Sequence, residues 1–286
     1  MNKVKAGVLY VVATAIGDNE DLSPRAKATL QSVSMIAAED TRDAGRLLRE
    51  LGITTPTTAV HDHNEAERVP TLIERMLAGE SLALISDAGT PLISDPGYRV
   101  VAAAHEAGIR VSPVPGACAA IAALSAAGLA SDRFHFEGFL SAKAGPRESR
   151  LQALAQAPHS LIFYEAPHRI IDTLTAMTSA FGEQRLATLA RELTKTFETI
   201  KRAPLAELLA WVEVDSNQQR GEMVIVVAGA PALAVNDQRS ITAEALLAVL
   251  VRELPVKQAA VIAAEVLGLR KNALYELAQQ LREVAR

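Results

Sequence analysis

Five polar stretches in this chain have the composition of ligand-facing loops. They are ATAIGDNED (13–21), AEDTR (38–42), HDHNE (61–65), SDAGTPLISDPG (86–97) and VPGACAA (114–120). In the fourth, Asp87 can accept hydrogen bonds from a ligand hydroxyl or ammonium, and Thr90 offers a hydroxyl. Gly89 and Gly97 let backbone approach a ligand closely, and the amides around 88–92 suit a carboxylate or an adenine edge. Asp95, just before Pro96, has two readings: a side-chain cap for the helix that follows, or a carboxylate facing substrate. Glu39, Asp40 and Arg42 crowd two carboxylates and a cation at the end of an apolar run, which suits a cleft as well as a surface salt bridge. His61 and His63 stand two apart, which on a strand puts both on one face, with Asp62 and Glu65 nearby. Without a cysteine or further histidines beside them, a polar substrate-lining or dimer-contact loop is the better reading, and no metal is expected. None of the five is a GxGxxG or GxxxxGK[ST] signature, so nothing supports a dinucleotide or P-loop triphosphate site.

Each stretch ends an apolar run, and that pattern indicates what must hold it. VLYVVATAIG, SMIAAED, SLALISD and RVSPVPG read as buried strands. Between them LSPRAKATLQSV, RDAGRLLRELG, EAERVPTLIERMLAG and YRVVAAAHEAG read as helices. Ser23 is a candidate cap and Pro24 suits the first helical position. The other three helices end at glycines fit for a left-handed cap, and Pro70 predicts a kink or a later start. Strand–helix alternation implies a parallel sheet, whose ligands sit beyond the carboxyl ends of its strands.

The texture changes near residue 131. FHFEGF alternates as a strand, a Gly/Pro/Lys loop follows, and then come the strand SLIFYEA, the helix HRIIDTLTAMTSAFG and the strands RLATLARE and GEMVIVVAG. The expectation is two α/β domains, 1–130 and 131–230, then the polar linker APALAVNDQRS and a helical segment, 240–286. In that segment VKQAAVIAAEVLGLRKNALYELAQQL gives helix, Gly-containing turn and a helix opening with Arg270, Lys271 and Asn272. This is the pattern of a helix-turn-helix, or of a plain helical hairpin.

The chain has 286 residues, 49% hydrophobic, enough for more than one core. No apolar run approaches the ~20 residues of a membrane span, and the apolar start fits a buried first strand better than a secretion signal. The single cysteine, Cys118, forbids an intrachain disulfide. A soluble cytoplasmic protein is expected. The net charge of −4 does not advertise a nucleic-acid binder, but residues 240–286 hold six Lys/Arg against five Glu. Two further clusters lean basic: Lys143, Arg147 and Arg150 against Glu148, and Arg191, Lys195, Lys201 and Arg202 against Glu192 and Glu198.

In order, LYVVATAIGDNEDLSPRA, AAEDTR, HDHNE, LISDAGTPLISDPG, VPGACAAIAALSAAGL, FEGFL, LIFYEAPHR, ARELTKTFE, GEMVIVVAG and KNALYELA span about residues 8 to 280. This string resembles the ribosomal RNA small subunit methyltransferase I family, within the tetrapyrrole methylase-like, class III S-adenosylmethionine-dependent methyltransferases. The resemblance implies two α/β domains with the cofactor, S-adenosyl-L-methionine, in the cleft between them, a homodimer, and a C-terminal helix-turn-helix able to contact RNA. It implies 2′-O-methylation of a cytidine in the decoding region of 16S ribosomal RNA, with the 30S subunit as substrate context. It places Asp87, Gly89, Thr90 and Leu92, then Gly116, Cys118, Ala119 and Tyr164, at the cofactor. For proton transfer the candidate bases are Glu39, Asp40 and Glu165, with Arg42, Arg191 and Lys195 as electrostatic partners. One departure stands out: Ala13-Thr14-Ala15-Ile16-Gly17-Asp18 replaces the family's PTPIGN, which predicts a looser first loop. The competing readings are a precorrin-type methylase acting on a small macrocycle and a DNA-binding regulator.

Overall fold

A computed structural model of the protein describes residues 7–61, 63–231, 242–269 and 271–284. Asp62, Arg270 and residues 232–241, which include most of the expected linker, lie outside the described residues. The two sheets and their helices form one compact unit as far as Ala230, and the segment from Pro231 onward forms a second.

The first sheet has strands β1 (Val8–Val12), β2 (Met35–Ala38), β3 (Thr57–Ala59), β4 (Leu82–Ile85) and β5 (Arg110–Val114) in the order β3-β2-β4-β1-β5. All its pairs are parallel, with Leu9 opposite both Leu82 and Val111. A parallel sheet is covered on both faces and its strands are apolar on both sides. Accordingly, Val8, Tyr10 and Val12 pack with Leu30, Ile36 and Leu48 on one face, and Leu9 packs with Leu72, Leu84 and Val100 on the other.

The crossover helices are α1 (Pro24–Ser32), α2 (Thr41–Glu50), α3 (Glu65–Leu77) and α4 (Tyr98–Glu106). Ser23 Oγ accepts from Ala26 N at 3.1 Å, so α1 starts where its cap and proline place it. Gly52, Gly79 and Gly108 follow the other three at φ 68°, 97° and 70°, a left-handed turn that would strain a residue with a Cβ. Pro70 neither delays nor ends α3, which runs unbroken from Glu65. Its entry is fixed by Asn64, whose Oδ1 accepts from His61 N at 2.9 Å and whose Nδ2 donates to Ala59 O at 3.1 Å. Glu65 is buried and accepts from Arg99 N at 2.8 Å and Val100 N at 3.2 Å. The first turn of α4 is thus capped from α3, and Asp95 does not cap it, since Gly97 occupies the cap position.

The second sheet has β6 (Phe134–Phe139), β7 (Ser160–Glu165), β8 (Leu186–Arg191), β9 (Thr199–Pro204) and β10 (Met223–Val227) in the order β6-β7-β10-β8-β9. Only β6 and β7 run parallel. One face packs α6 (Ala144–Leu154), α7 (Ile170–Phe181) and α8 (Leu205–Val214) through Leu151, Phe163, Leu174, Met177, Leu189, Leu205 and Ile225. The other receives α5 (Ala119–Ala126), an alanine-rich helix that leaves the first sheet's last strand and seats Ala120, Ala123 and Leu124 on Ile162, Ala190 and Val224.

Two stretches fold differently from their sequence reading. The Gly/Pro/Lys loop is helix α6: Pro146 falls in its first turn, where no N–H is required, and Leu151 and Leu154 are buried. The second basic cluster runs into β9, whose adjacent Lys201 and Arg202 hide the strand signal.

The second unit comprises α9 (Ala243–Glu253), α10 (Val256–Leu267) and α11 (Lys271–Val284). Thr242 Oγ1 caps α9, accepting from Ala245 N at 3.1 Å, and Gly268 ends α10 at φ 63°. Leu247, Val251, Ala259, Ala260, Ala263, Leu274 and Ala278 make its small core. No helix among the described residues is long and apolar enough to cross a membrane.

Removing the carboxylate at position 65 strands two helix-start amides in a buried setting. Glu65→Ala should therefore cost about 1–3 kcal/mol in urea unfolding, and Glu65→Gln, which keeps an acceptor, clearly less. Equal unfolding midpoints for Glu65→Ala and wild type would exclude this role.

Candidate functional site

The loops after β1, β4 and β5 are bound to one another. Thr14 N donates to Gly89 O at 2.8 Å, Gly89 N donates back to Ala15 O at 3.2 Å, and Thr90 Oγ1 donates to Ala117 O at 2.8 Å. Gly89 has φ 77°, and a Cβ there would stand 3.1 Å from Ile16 Cγ2. At Gly116 a Cβ would meet Ala13 Cβ at 2.9 Å. In the first loop, which lacks the family's prolines, Ala13 uses its N–H to reach Val114 O at 3.2 Å, a bond proline could not make. Asp18 caps a short 3-10 turn, its carboxylate accepting from Glu20 N at 2.9 Å.

Opposite these loops the open end of the second sheet completes a cavity of about 210 Å³. Ile16, Gly89, Thr90 and Asp95 line it from the first sheet's loops, and Phe139, Tyr164, Leu193, Glu222 and Val224 from the second sheet. A second contact closes the side near Leu193. Gly17 lies so near the 193–195 loop that a Cβ would meet Lys195 Cγ and Thr194 Oγ1 at 2.6 Å, and Asp18 N donates to Thr194 Oγ1 at 3.0 Å. That loop carries left-handed backbone at Glu192 and Thr194, and Arg191 braces it by donating to Phe197 O at 3.0 Å and Gln218 Oε1 at 3.1 Å.

Of the residues singled out in the sequence, Gly89, Thr90, Cys118, Ala119, Tyr164 and Glu165 line the cavity. Asp87, Leu92 and Gly116 sit in the same loops without lining it. Glu39, Asp40 and Arg42 stand at the end of β2, joined to the β4 loop where Asp40 N donates to Asp87 at 3.1 Å. Lys195 lies in an adjoining groove with Gly17, Asp18, Thr194 and Thr196, its ammonium bridging Glu192 at 3.1 Å and Glu222 at 2.9 Å. His61 and His63 follow β3 rather than lie in it, with ring centroids 6.0 Å apart. Among the described residues no group of three His, Cys, Asp or Glu is arranged to hold a metal ion.

The carboxylates differ in how far they are committed. Asp40 is hydrogen-bonded by Arg42, which holds its pKa down at about 2. Glu165 is buried and saturated: it takes bonds from Ala166 N at 2.7 Å and Thr173 Oγ1 at 2.5 Å and pairs with Arg169 Nε at 2.9 Å. Partial burial raises the pKa of Asp87, with the neighbouring charges of Asp43 and Asp40 adding to it. Burial pushes Asp95 up to about 6, against a hydrogen bond from Ser86 and with the charge of Asp87. Tyr164 is also raised by burial, so its hydroxyl stays protonated, and its Oη accepts from Ala120 N at 3.1 Å to anchor the start of α5. Glu222 was not among the sequence candidates for the site. Asp95 was legible as one of two options beside Pro96, whereas Glu222 carries no local signal.

The basic clusters are largely consumed internally. Arg150 grips Glu137 with two bonds of 2.6 and 2.7 Å, and Arg147 is buried near Asp172. Arg191 is buried, and Lys201 stacks over Trp211 at 4.5 Å.

The family described as Tetrapyrrole (Corrin/Porphyrin) Methylases matches residues 8–209, and the RsmI C-terminal HTH domain matches residues 237–282. The ribosomal RNA small subunit methyltransferase I of Pseudomonas aeruginosa is 59% identical over 279 residues, covering 97% of this chain and 98% of the relative. That of Escherichia coli O157:H7 is 53% identical, covering 95% and 94%. Among solved structures, a diphthine synthase aligns with a TM-score of 0.60 at 15% identity over 77% of this chain and 90% of its own. A uroporphyrin-III C-methyl transferase from Thermus thermophilus, complexed with S-adenyl homocysteine, aligns at 0.55 and 19% identity over 77% and 96%. These distant structures share the fold.

The pKa of Asp95 stands above the ~3.9 of an unfolded aspartate, so its protonated form favours the folded state. That contribution is full below ~4 and is lost as pH rises through about 6. In urea unfolding, wild-type stability measured against Asp95→Asn should fall across this interval and level off above it. A difference that stays constant across the interval would rule out the raised carboxyl.

Proposed function

The chain belongs to the tetrapyrrole methylase family and, within it, to the ribosomal RNA small subunit methyltransferase I group, and on that premise we propose that it methylates the 2′-hydroxyl of a cytidine in the decoding region of 16S ribosomal RNA. It is a methyltransferase that uses S-adenosylmethionine. In this reading the substrate is the RNA within the 30S subunit, in the cytoplasm, and the enzyme is a homodimer.

The observation that carries the reading is the character of the cavity. Asp95, Glu165 and Glu222 line it, and no lysine or arginine does so among the described residues. With no cation on this wall to pair with them, the carboxylates of a polycarboxylate macrocycle would stand unpaired in a partly dry site, a cost that a cationic ligand does not meet. Ile16, Leu193, Met223 and Val224 supply apolar surface for a flat heterocycle, and glycine at 89 leaves backbone within reach of it. Gly89, Thr90, Cys118, Ala119 and Tyr164 would hold the nucleoside, with Asp87, Leu92 and Gly116 shaping the loops behind them. When bound, S-adenosylmethionine supplies an electrophilic methyl carbon whose bond to sulfur breaks as the new bond to oxygen forms, leaving a neutral thioether.

The chain's own contribution is alignment and exclusion of water. Loops that hydrogen-bond to one another cannot drift, so donor and acceptor are held in line without further ordering cost. At the cavity wall Phe139 is 55% exposed and lies edge-on to Tyr164, centroids 5.6 Å apart, offering a face on which an unstacked base can rest. With most cluster cations already paired, phosphate contact falls to residues such as Lys143 and to the C-terminal unit, where Lys271 opens α11. Modest basicity of this kind suits a preformed ribosomal particle, whose shape supplies the rest of the recognition. A DNA-binding regulator would have no use for the cavity.

Purified protein with tritiated S-adenosylmethionine should label 30S particles at an alkali-resistant cytidine linkage and leave a precorrin unlabelled. Label on the macrocycle alone, or on neither, contradicts the reading. Gly89→Ala adds a Cβ at φ 77° and 3.1 Å from Ile16, and calorimetry should find its S-adenosylmethionine affinity about tenfold or more weaker. Wild-type affinity in that variant would move the donor elsewhere.

A further inference from the structure

We propose that Asp95 is the general base of this transfer, the group that takes the proton from the acceptor 2′-hydroxyl. The proposal rests on the 2′-O-methylation reading and adds to it the residue that removes the proton. The balance is simple. The oxygen's bonding pair, released from hydrogen, forms the bond to the methyl carbon. The proton passes to an Asp95 carboxylate oxygen and from there to solvent.

Asp95 lines the cavity together with Phe139 and Tyr164 on one element set and Gly89 and Thr90 on the other. The other carboxylates near the site are committed or, like Asp87, which accepts from Asp40 N, do not line the cavity. Glu165 is saturated by Ala166, Thr173 and Arg169. Glu222 is paired with Lys195 and its side chain is 73% exposed. Asp40 is held by Arg42 at the end of β2, where neither it nor Glu39 lines the cavity. Among the described residues no ion pair engages Asp95, and the Ser86 hydroxyl is the one side chain that favours its charged form.

The backbone around it is constrained in a way that a plain loop would not need. Leu92 and Ser94 both take left-handed conformations, at φ 73° and 69°, which non-glycine residues rarely adopt. Ser94 is wedged against Gly138, where a Cβ would stand 2.9 Å from its Oγ, and Gly97 against Leu84, where a Cβ would stand 2.7 Å from Cδ2. Strain held in place by surrounding structure is common where a side chain must be aimed. The titratable groups facing Asp95 are Asp87, Tyr164, Cys118, Glu165 and Glu222. Burial, with the charge of Asp87 adding to it, raises its affinity for a proton to about 6, a match for a base working near neutrality.

The test compares wild type with Asp95→Asn on 30S particles. Loss of a general base predicts a fall in kcat of about 10²–10⁴-fold. Affinity for S-adenosylhomocysteine, which carries no sulfonium charge, should stay within about threefold by calorimetry, since the amide fills the same space. The acid limb of the wild-type pH–kcat profile, with its inflection near 6, should vanish from whatever activity remains. Carbon-13 NMR of the free protein should find the Asp95 carboxyl titrating in that same range. A variant with kcat within about tenfold of wild type, a retained acid limb, or S-adenosylhomocysteine affinity lost in proportion to activity would overturn the proposal. If wild type itself transfers no methyl to 30S particles, the underlying reading falls and this assignment with it. Transfer by wild type and variant alike removes only the base.

Discussion

The backbone exchange between Gly89 and the 14–15 peptide governs this site. Thr14 N reaches Gly89 O while Gly89 N reaches Ala15 O, so the loops after β1 and β4 are locked in register by two bonds. The exchange depends on the sheet order β3-β2-β4-β1-β5, which sets β4 beside β1, and on a residue at 89 that can turn left-handed without a Cβ. Thr90 then ties in the β5 loop through Ala117, and the next turn of chain becomes α5, the helix seated on the second sheet. The cavity, its apolar wall and the approach of Phe139 and Tyr164 all follow from that one arrangement.

Charge is distributed to the same end. The cations that look available for nucleic acid are mostly used to brace the second sheet: Arg150 on Glu137, Arg191 on Phe197 O and Gln218, Lys201 on Trp211. Carboxylates, in contrast, remain along the cavity. A positively charged methyl donor fits an acidic, half-dry pocket, and an anionic RNA backbone fits outside it. On the proposed reading only a neutral ribose hydroxyl and its base need enter.

Much of this was legible in the sequence, for physical reasons that differ by element. The parallel sheet announces itself because its strands are apolar on both faces and its helices carry one Ser-Pro start and three glycine ends. The ligand loops are visible because close backbone approach needs glycine, and strand ends need polar partners. Glu65 was grouped with the histidines of HDHNE, yet it caps α4, a contact 34 residues away along the chain that no local pattern encodes. Charge clusters misled in the same manner, because pairing such as Arg150 with Glu137 is tertiary. β9 was hidden by its adjacent Lys201 and Arg202, and α6 by a Gly-Pro pair that its first turn accommodates. Asp95 and Glu165 exchanged prominence for one reason: which carboxylate is free depends on partners such as Arg169 and Thr173 that come together only on folding.

The most direct test of the account is a crystal structure of the protein with S-adenosylhomocysteine. The account predicts the adenosine between the 86–97 loop and the Tyr164–Leu193 wall, its backbone contacts made around Gly89 and its sulfur on the side facing Asp95. Density in the groove of Gly17, Lys195 and Thr196, or anywhere outside the cavity formed by the clamped loops, would contradict it.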